Sequence, residues 1–163
     1  GVYIEVVSAL DHPSAQKAPF GRAVAQRAQA GGGWMSWVVS TTDLSPVEQE
    51  LGRKAAEGHR IRPDGVDLHW RQIGVLDTIE HPQSPFFVQW ESPQEHHPAF
   101  GGEATGIKVL SMEINCPSQD LGPMATELAP LTDLIRWVHD TETDGFGVNA
   151  VTFETPHGHV RID

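Results

Sequence analysis

Cysteine is almost absent from this sequence, since Cys116 is the only thiol among 163 residues. A single cysteine excludes a framework of intramolecular disulfides. That scarcity is typical of a reducing compartment, so we expect a cytoplasmic protein. Long apolar runs are also missing, because no stretch approaches the roughly 18 apolar residues that a membrane-spanning helix needs. The sequence therefore predicts no membrane partner.

Basic residues are scarce as well. The chain has 11 lysines and arginines against 22 aspartates and glutamates, which gives a formal net charge of −11. An acidic protein without a Lys/Arg cluster has little electrostatic attraction for phosphate backbones or anionic membrane surfaces. We therefore expect no nucleic-acid partner.

Motifs for covalent or phosphate chemistry are missing too. The sequence has no Gly-x-Ser-x-Gly element, and Cys116 is followed by Pro117 with no histidine nearby in the chain. The glycines at 31–33 precede a strand-like run rather than follow one, so they do not form a dinucleotide or phosphate loop. These absences argue against a nucleophilic hydrolase and a nucleotide-binding protein.

Two strand-like runs of similar pattern stand out among the residues that are present, at 1–7 and at 85–91. Each is apolar and rich in β-branched or aromatic residues, with one polar residue at its centre. Aligning the runs pairs Tyr3 with Phe87 and Glu5 with Gln89. Because alternate side chains of a strand share a face, each run places its aromatic and its polar residue together. We predict equivalent strands of two related modules, each sending one polar group into a shared cavity.

The length suits a single domain, and turn signals divide it into four parts. Residues 1–30 are interpreted as the end of a first module plus a connector helix at 20–30. Residues 31–91 form a complete module, 92–106 a linker, and 107–163 a further module. Within 31–91 the pattern predicts strand, helix, strand, strand, strand, with a helix start at Ser45 and Pro46 and a hairpin at Asp64 and Gly65. Within 107–163 it predicts a strand, a helix at 118–129 and three more strands.

The start of the chain is unusual, because residue 1 enters a strand-like run with no lead-in. The front of the first module is therefore expected to precede Gly1 in a longer gene product.

Several segments together resemble glyoxalase-like domain proteins of the vicinal oxygen chelate superfamily, over nearly the whole chain. The segments are Tyr3-Ile4-Glu5, Phe20-Gly21-Arg22-Ala23, Gly31-Gly32-Gly33-Trp34, Arg62-Pro63-Asp64-Gly65, Pro85-Phe86-Phe87-Val88-Gln89-Trp90 and Glu154-Thr155-Pro156-His157-Gly158. The resemblance implies an α+β fold in which paired βαβββ modules form a half-open barrel. It also implies a divalent metal in the cavity, such as Mg, Mn, Fe, Ni or Zn.

Carried over to this sequence, the resemblance places metal ligands at Glu5 and Gln89, with Glu5 as the catalytic group. The first-strand ligand position of the second module falls near Ser36 or Trp37, and neither residue is a plausible metal ligand. The implied activity is that of a lyase, isomerase or dioxygenase acting on a small oxygenated organic substrate.

The residues leave other assignments open. Glu5 would alternatively pair with an arginine such as Arg62 or Arg71, and Gln89 would satisfy backbone groups. Candidate substrate-binding side chains are Tyr3, Trp37, Phe87, Arg62 and His69. His96 and His97 lie in the polar linker and are expected at the surface.

Two other functions therefore stand beside the metal enzyme. One is a metal-free protein that binds or sequesters a small molecule on the same fold. The other is a structural or dimerisation role in which the fold is completed either by another chain, as in a homodimer, or by a segment that precedes Gly1.

Overall fold

A computed structural model describes residues 2–9, 11–100, 106–116, 128–139 and 145–163. In this part of the chain the helices are α1 Pro13–Lys17, α2 Pro19–Gln29, α3 Ser45–Glu50 and α4 Asp77–Glu80, with short 3-10 turns at Gln94–His96 and Ala129–Leu131. The strands are β1 Val38–Ser40, β2 Ala56–Ile61, β3 Asp67–Ile73, β4 Phe86–Trp90, β5 Lys108–Asn115, β6 Ile135–Val138, β7 Gly147–Thr155 and β8 Gly158–Ile162. No described helix is long and apolar enough to cross a bilayer.

The first sheet has the strand order β1-β4-β3-β2, and its elements follow the predicted sequence of strand, helix, strand, strand, strand, except that the short helix α4 lies between β3 and β4. β1 runs parallel to β4, and the other neighbours are antiparallel. The run that ends in Gln89 and Trp90 is therefore an inner strand, paired on both sides.

The hairpin between β2 and β3 forms at the predicted Asp-Gly turn. Gly65 has a φ of +86°, a conformation that glycine adopts without steric cost. The Asp64 carboxylate accepts a hydrogen bond from the Val66 N–H at 3.2 Å, and the Arg62 N–H donates to the Val66 carbonyl at 2.8 Å. These contacts fix the register of the two strands.

The second sheet has the strand order β6-β5-β7-β8. Its directions repeat those of the first sheet, with a parallel edge pair followed by two antiparallel pairs. The chain connects them differently, because the inner strand β5 comes first in sequence. Most of the helix predicted at 118–129 lies outside the described residues.

The strand predicted for residues 1–7 is not observed, since the described residues 2–9 belong to no strand. A strand needs a neighbour, and neither sheet pairs with this segment. Val6 is accordingly 90% exposed. The connector helix is observed as α2, and the three positive-φ glycines at 31–33 follow it.

The main core lies where the two sheets meet. Its buried residues come from both halves: Trp37, Val39, Leu44, Val47, Ile73, Phe87, Ile114, Leu128 and Ile135. The rings of Trp37 and Trp137 meet edge to face across it, 6.4 Å apart. The predicted fold class is thus confirmed as α+β with two four-stranded sheets, and the described residues form no closed barrel.

Candidate functional site

The two faces of the first sheet have different surroundings, and strand alternation assigns the residues of β4 between them. Phe87 and Gln89 share one face, while Val88 and Trp90 share the other. Helix α3 covers the face of Phe87 and Gln89, because Gln89 contacts the residue at the start of that helix. We call this the helix face, and the other the open face.

Gln89 supports helix α3. Its side-chain oxygen accepts a hydrogen bond from the Leu44 N–H at 3.1 Å, and Leu44 immediately precedes the helix. A backbone N–H at a helix start has no partner within the helix, so this contact satisfies one of the unpaired donors. The amide oxygen predicted to bind metal is therefore held on the helix face.

Phe87 and Trp37 lie in the core. Phe87 has no solvent exposure, and Trp37 is 6% exposed. The Trp37 indole N–H donates to the Gln83 carbonyl at 3.1 Å, so its one polar group is already used. Packing accounts for both side chains.

Glu48 is a buried carboxylate in helix α3, on the helix face of the sheet. The sequence patterns did not identify it. Its oxygens accept hydrogen bonds from the Ala55 N–H and the Lys54 ammonium, both at 2.9 Å, and it also pairs with the Arg71 guanidinium. These partners, with the Ala55 bond first, lower the pKa of Glu48 below its ordinary value. Arg71 therefore pairs with Glu48 rather than Glu5.

An open depression of about 330 Å³ lies at the end of α3. The cations on its wall, Arg53 and Lys54, already pair with Asp77 and Glu48. Both cations and Glu48 are thus engaged in ion pairs within the fold, and the depression is not our candidate site.

The open face carries a group of rings that we call the aromatic cluster: Tyr3, Trp70, Trp90 and His97. Trp70 and Trp90 are directly paired in the β3–β4 ladder, with ring centroids 5.5 Å apart. The His97 ring meets Trp90 at 4.8 Å, nearly perpendicular, and Tyr3 meets His97 at 6.2 Å. The segment 94–100 therefore folds over these strands, and the segment 2–9 contacts it through Tyr3.

The polar side chains of the aromatic cluster are uncharged at pH 7, and each offers an N–H or O–H donor. The Trp90 indole nitrogen is buried and has no hydrogen-bond partner. His97 Nδ1 accepts from the Ala99 N–H at 3.0 Å, which leaves the proton of the neutral ring on Nε2. Burial lowers the pKa of His97, and burial together with the charge of Glu5 raises the pKa of Tyr3. The imidazole is therefore neutral and the phenol protonated at pH 7.

Gly58 makes room for the aromatic cluster. It pairs with Trp70 across β2 and β3, and a Cβ added there would lie 2.5 Å from the Trp70 ring. We predict that Gly58→Ala forces the indole out of place and lowers the free energy of unfolding by about 1–3 kcal/mol. Near-ultraviolet circular dichroism and urea titration would measure both effects. Gly145→Ala, where nothing lies within 4 Å of an added Cβ and φ is not positive, keeps the aromatic signal unchanged; an unchanged spectrum in Gly58→Ala would contradict the prediction.

The remaining predicted site residues lie apart from one another. Glu5 is exposed in the segment without a strand. Arg62 pairs with Asp64 at 2.7 Å in the hairpin turn. His69 is 53% exposed, beside Asp67 at 3.2 Å. Of the predicted substrate-binding residues, Tyr3 alone belongs to the aromatic cluster.

The sequence profile of the glyoxalase-like domain matches residues 1–132, which is most of the chain. The chain belongs to the glyoxalase-like domain family. This assignment agrees with the vicinal oxygen chelate superfamily and with the two four-stranded sheets. No curated protein and no solved structure matches the chain.

Members of this superfamily often use a divalent metal, and the expected ligand positions of this glyoxalase-like protein do not fit one. Gln89 Oε1 is bonded to Leu44 on the helix face. Glu5 is exposed to solvent in a segment that belongs to no strand and pairs with neither sheet. In the described ranges, no three His, Cys, Asp or Glu side chains converge to hold an ion.

The sequence contains a signal for the aromatic cluster that strand alternation alone does not reveal. The Asp-Gly turn fixes the register that places Gly58 opposite Trp70, and a glycine opposite a tryptophan indicates a ring lying across the strand. His97, expected at the surface, is instead half-buried against Trp90. No local pattern shows that its polar segment folds back over the sheet.

Proposed function

We propose that this glyoxalase-like protein binds or sequesters a small, flat, oxygenated organic molecule at the aromatic cluster, without a metal ion. The family membership leaves the activity open, because one fold hosts many chemistries. The arrangement of the described side chains favours the metal-free function over the metal-dependent lyase, isomerase or dioxygenase.

The observation that carries the proposal is the unpaired Trp90 indole N–H. Leaving a buried donor without a partner costs about 1–3 kcal/mol, so native structures rarely retain one without a reason. A carbonyl or hydroxyl oxygen of a ligand would supply the missing acceptor. The neighbouring rings of Trp70 and His97 would supply flat apolar surface.

The protonation states define the ligand further. Trp90 offers an N–H, His97 an Nε2–H and Tyr3 an O–H, so the aromatic cluster supplies three donors. A molecule rich in acceptor oxygens on a flat ring complements this set.

Access to Trp90 requires a movement of its cover. The indole nitrogen is buried, and the His97 ring lies 4.8 Å from the Trp90 ring. A ligand would enter between the sheet and the segment 94–100, and the His97 ring would then close over it. We expect binding to proceed with displacement of this segment.

The test uses three flat carbonyl probes, 4-hydroxyacetophenone, chromone and indole-3-carboxaldehyde, with tryptophan fluorescence and ligand-observed NMR in excess EDTA. We predict saturable binding of at least one probe, with affinity reduced about tenfold in Trp90→Phe, because this change removes the donor and keeps a ring. The matched control is Trp34→Phe, whose indole bonds the Ile162 carbonyl away from the aromatic cluster.

Two results would overturn the proposal. One is that none of the probes binds, or that Trp90→Phe binds as the parent does. The other is that EDTA abolishes binding and a divalent ion restores it, which would favour the metal-dependent enzyme.

A further inference from the structure

Two histidines face each other across the hairpin, away from the aromatic cluster. His59 of β2 and His69 of β3 are directly paired in the ladder. Their rings stack with centroids 5.8 Å apart and planes within 16° of parallel. The side chains are 65% and 53% exposed, so solvent reaches both.

The backbone identifies this as the closer type of cross-strand pair. The His69 N–H donates to Ser92 Oγ at 2.7 Å, and its carbonyl accepts from the Glu91 N–H at 2.9 Å. Both groups of His69 therefore point away from β2. In an antiparallel ladder such a non-hydrogen-bonded pair has Cα atoms about 4.5 Å apart, which brings its side chains together.

One carboxylate serves both rings. Asp67 Oδ2 lies 3.2 Å from His69 Nε2, and Asp67 Oδ1 lies 3.4 Å from His59 Nδ1. A carboxylate beside one imidazole nitrogen holds the proton there and leaves the other nitrogen with a free lone pair. Histidines that bind metals are typically oriented by such a carboxylate. Asp67 thereby leaves His59 Nε2 and His69 Nδ1 free to bind an ion.

We propose that His59 and His69 form a two-histidine site for a divalent transition ion such as Zn²⁺, Ni²⁺ or Cu²⁺, with Asp67 orienting both rings. Imidazole nitrogen suits these three ions, and water completes the coordination because no third protein ligand converges in the described part of the chain. Binding one ion requires the stacked rings to turn until the two nitrogens converge, which their exposure allows, and Asp67, itself 42% exposed, can follow them.

The charges around the pair favour a cation. Glu57 precedes His59 by two residues and so shares its face of the strand. The nearest cation on that face of β3, Arg71, is neutralised by Glu48. The site is also separate from Glu5 and Gln89, and it does not depend on the proposed ligand function.

The test is calorimetric titration of the full chain with zinc chloride. We predict a saturable site of one Zn²⁺ per chain, with affinity reduced about tenfold or more in His59→Ala and in His69→Ala. Asp67→Asn should weaken binding by about 10- to 100-fold, because it removes the orienting charge. The control is His81→Ala, an exposed histidine outside the pair, which should bind as the parent does.

Electron paramagnetic resonance with Cu²⁺ tests the geometry independently of affinity. Two nitrogen ligands are expected in the parent and one in each single variant. Unchanged Zn²⁺ affinity in both alanine variants would overturn the site, as would a parent Cu²⁺ spectrum with a single nitrogen. The conservative changes His59→Asn and His69→Asn repeat the test if an alanine variant loses its sheet signal in circular dichroism.

Discussion

Phe87→Ala is expected to lower the free energy of unfolding by about 3–5 kcal/mol, because the ring is fully buried between the sheets. Removing it opens a cavity on the inner strand β4, which is paired to β1 and β3 on its two sides. The surrounding residues could fill this cavity only by bending the pairing of β4 with both β1 and β3, so little relaxation is expected. Urea titration followed by circular dichroism measures the loss.

The control for Phe87 is Phe146→Ala, since Phe146 is 49% exposed. A surface substitution of this kind should change stability by about 0.5 kcal/mol or less. Phe87→Leu, which retains most of the volume, separates packing from ligand binding. If Phe87→Leu folds well and no longer binds the carbonyl probes, Phe87 contacts the ligand and its assignment to the core is wrong.

Glu48→Gln is expected to lower the melting temperature by several degrees at pH 7. The carboxylate is 6% exposed and holds Arg71 of β3 and Lys54, next to β2, against helix α3. An uncharged amide keeps the shape and loses both charge-assisted contacts. It also leaves the partly buried Arg71 guanidinium without its anion.

The effect of Glu48 depends on pH in a defined direction. Its pKa is lowered in the folded state from an ordinary value of 4.5. The stabilisation is therefore complete above that value and is lost as the pH falls through the lower folded pKa. Thermal melts of the parent and Glu48→Gln should converge in acid. Glu57→Gln, at an exposed position of β2, should match the parent at every pH; a constant difference for Glu48→Gln would contradict the assignment.

The sequence predicted much of the fold, because short-range chemistry decided it. The Asp64-Gly65 turn specified the hairpin, and the run around Phe87 and Gln89 specified β4. The strand predicted at 1–7 failed for a different reason. Alternation shows which side chains would share a face in a strand, and it cannot show whether a neighbouring strand exists to pair with.

The site was predicted less well than the fold. Parity placed Phe87 and Gln89 on one face, as observed, but it could not show that α3 covers that face. The cavity was expected on the helix face, which core side chains and helix α3 occupy. Trp90, one residue along, points to the other face, where the His97 ring contacts it and Tyr3, from the start of the chain, contacts His97.

The parallel pairing of β1 with β4 has a consequence for the order in which the first sheet assembles. β2 and β3 are joined by a tight turn, so their pairing closes a short loop at little cost in chain entropy. β1 pairs with β4 only after α3 and the hairpin have been enclosed between them, and it is just 3 residues long. Pairing over so long a separation is slow. The edge strand β1 should therefore pair last during folding and separate first during unfolding. The hairpin that carries His59 and His69 should form early and open late.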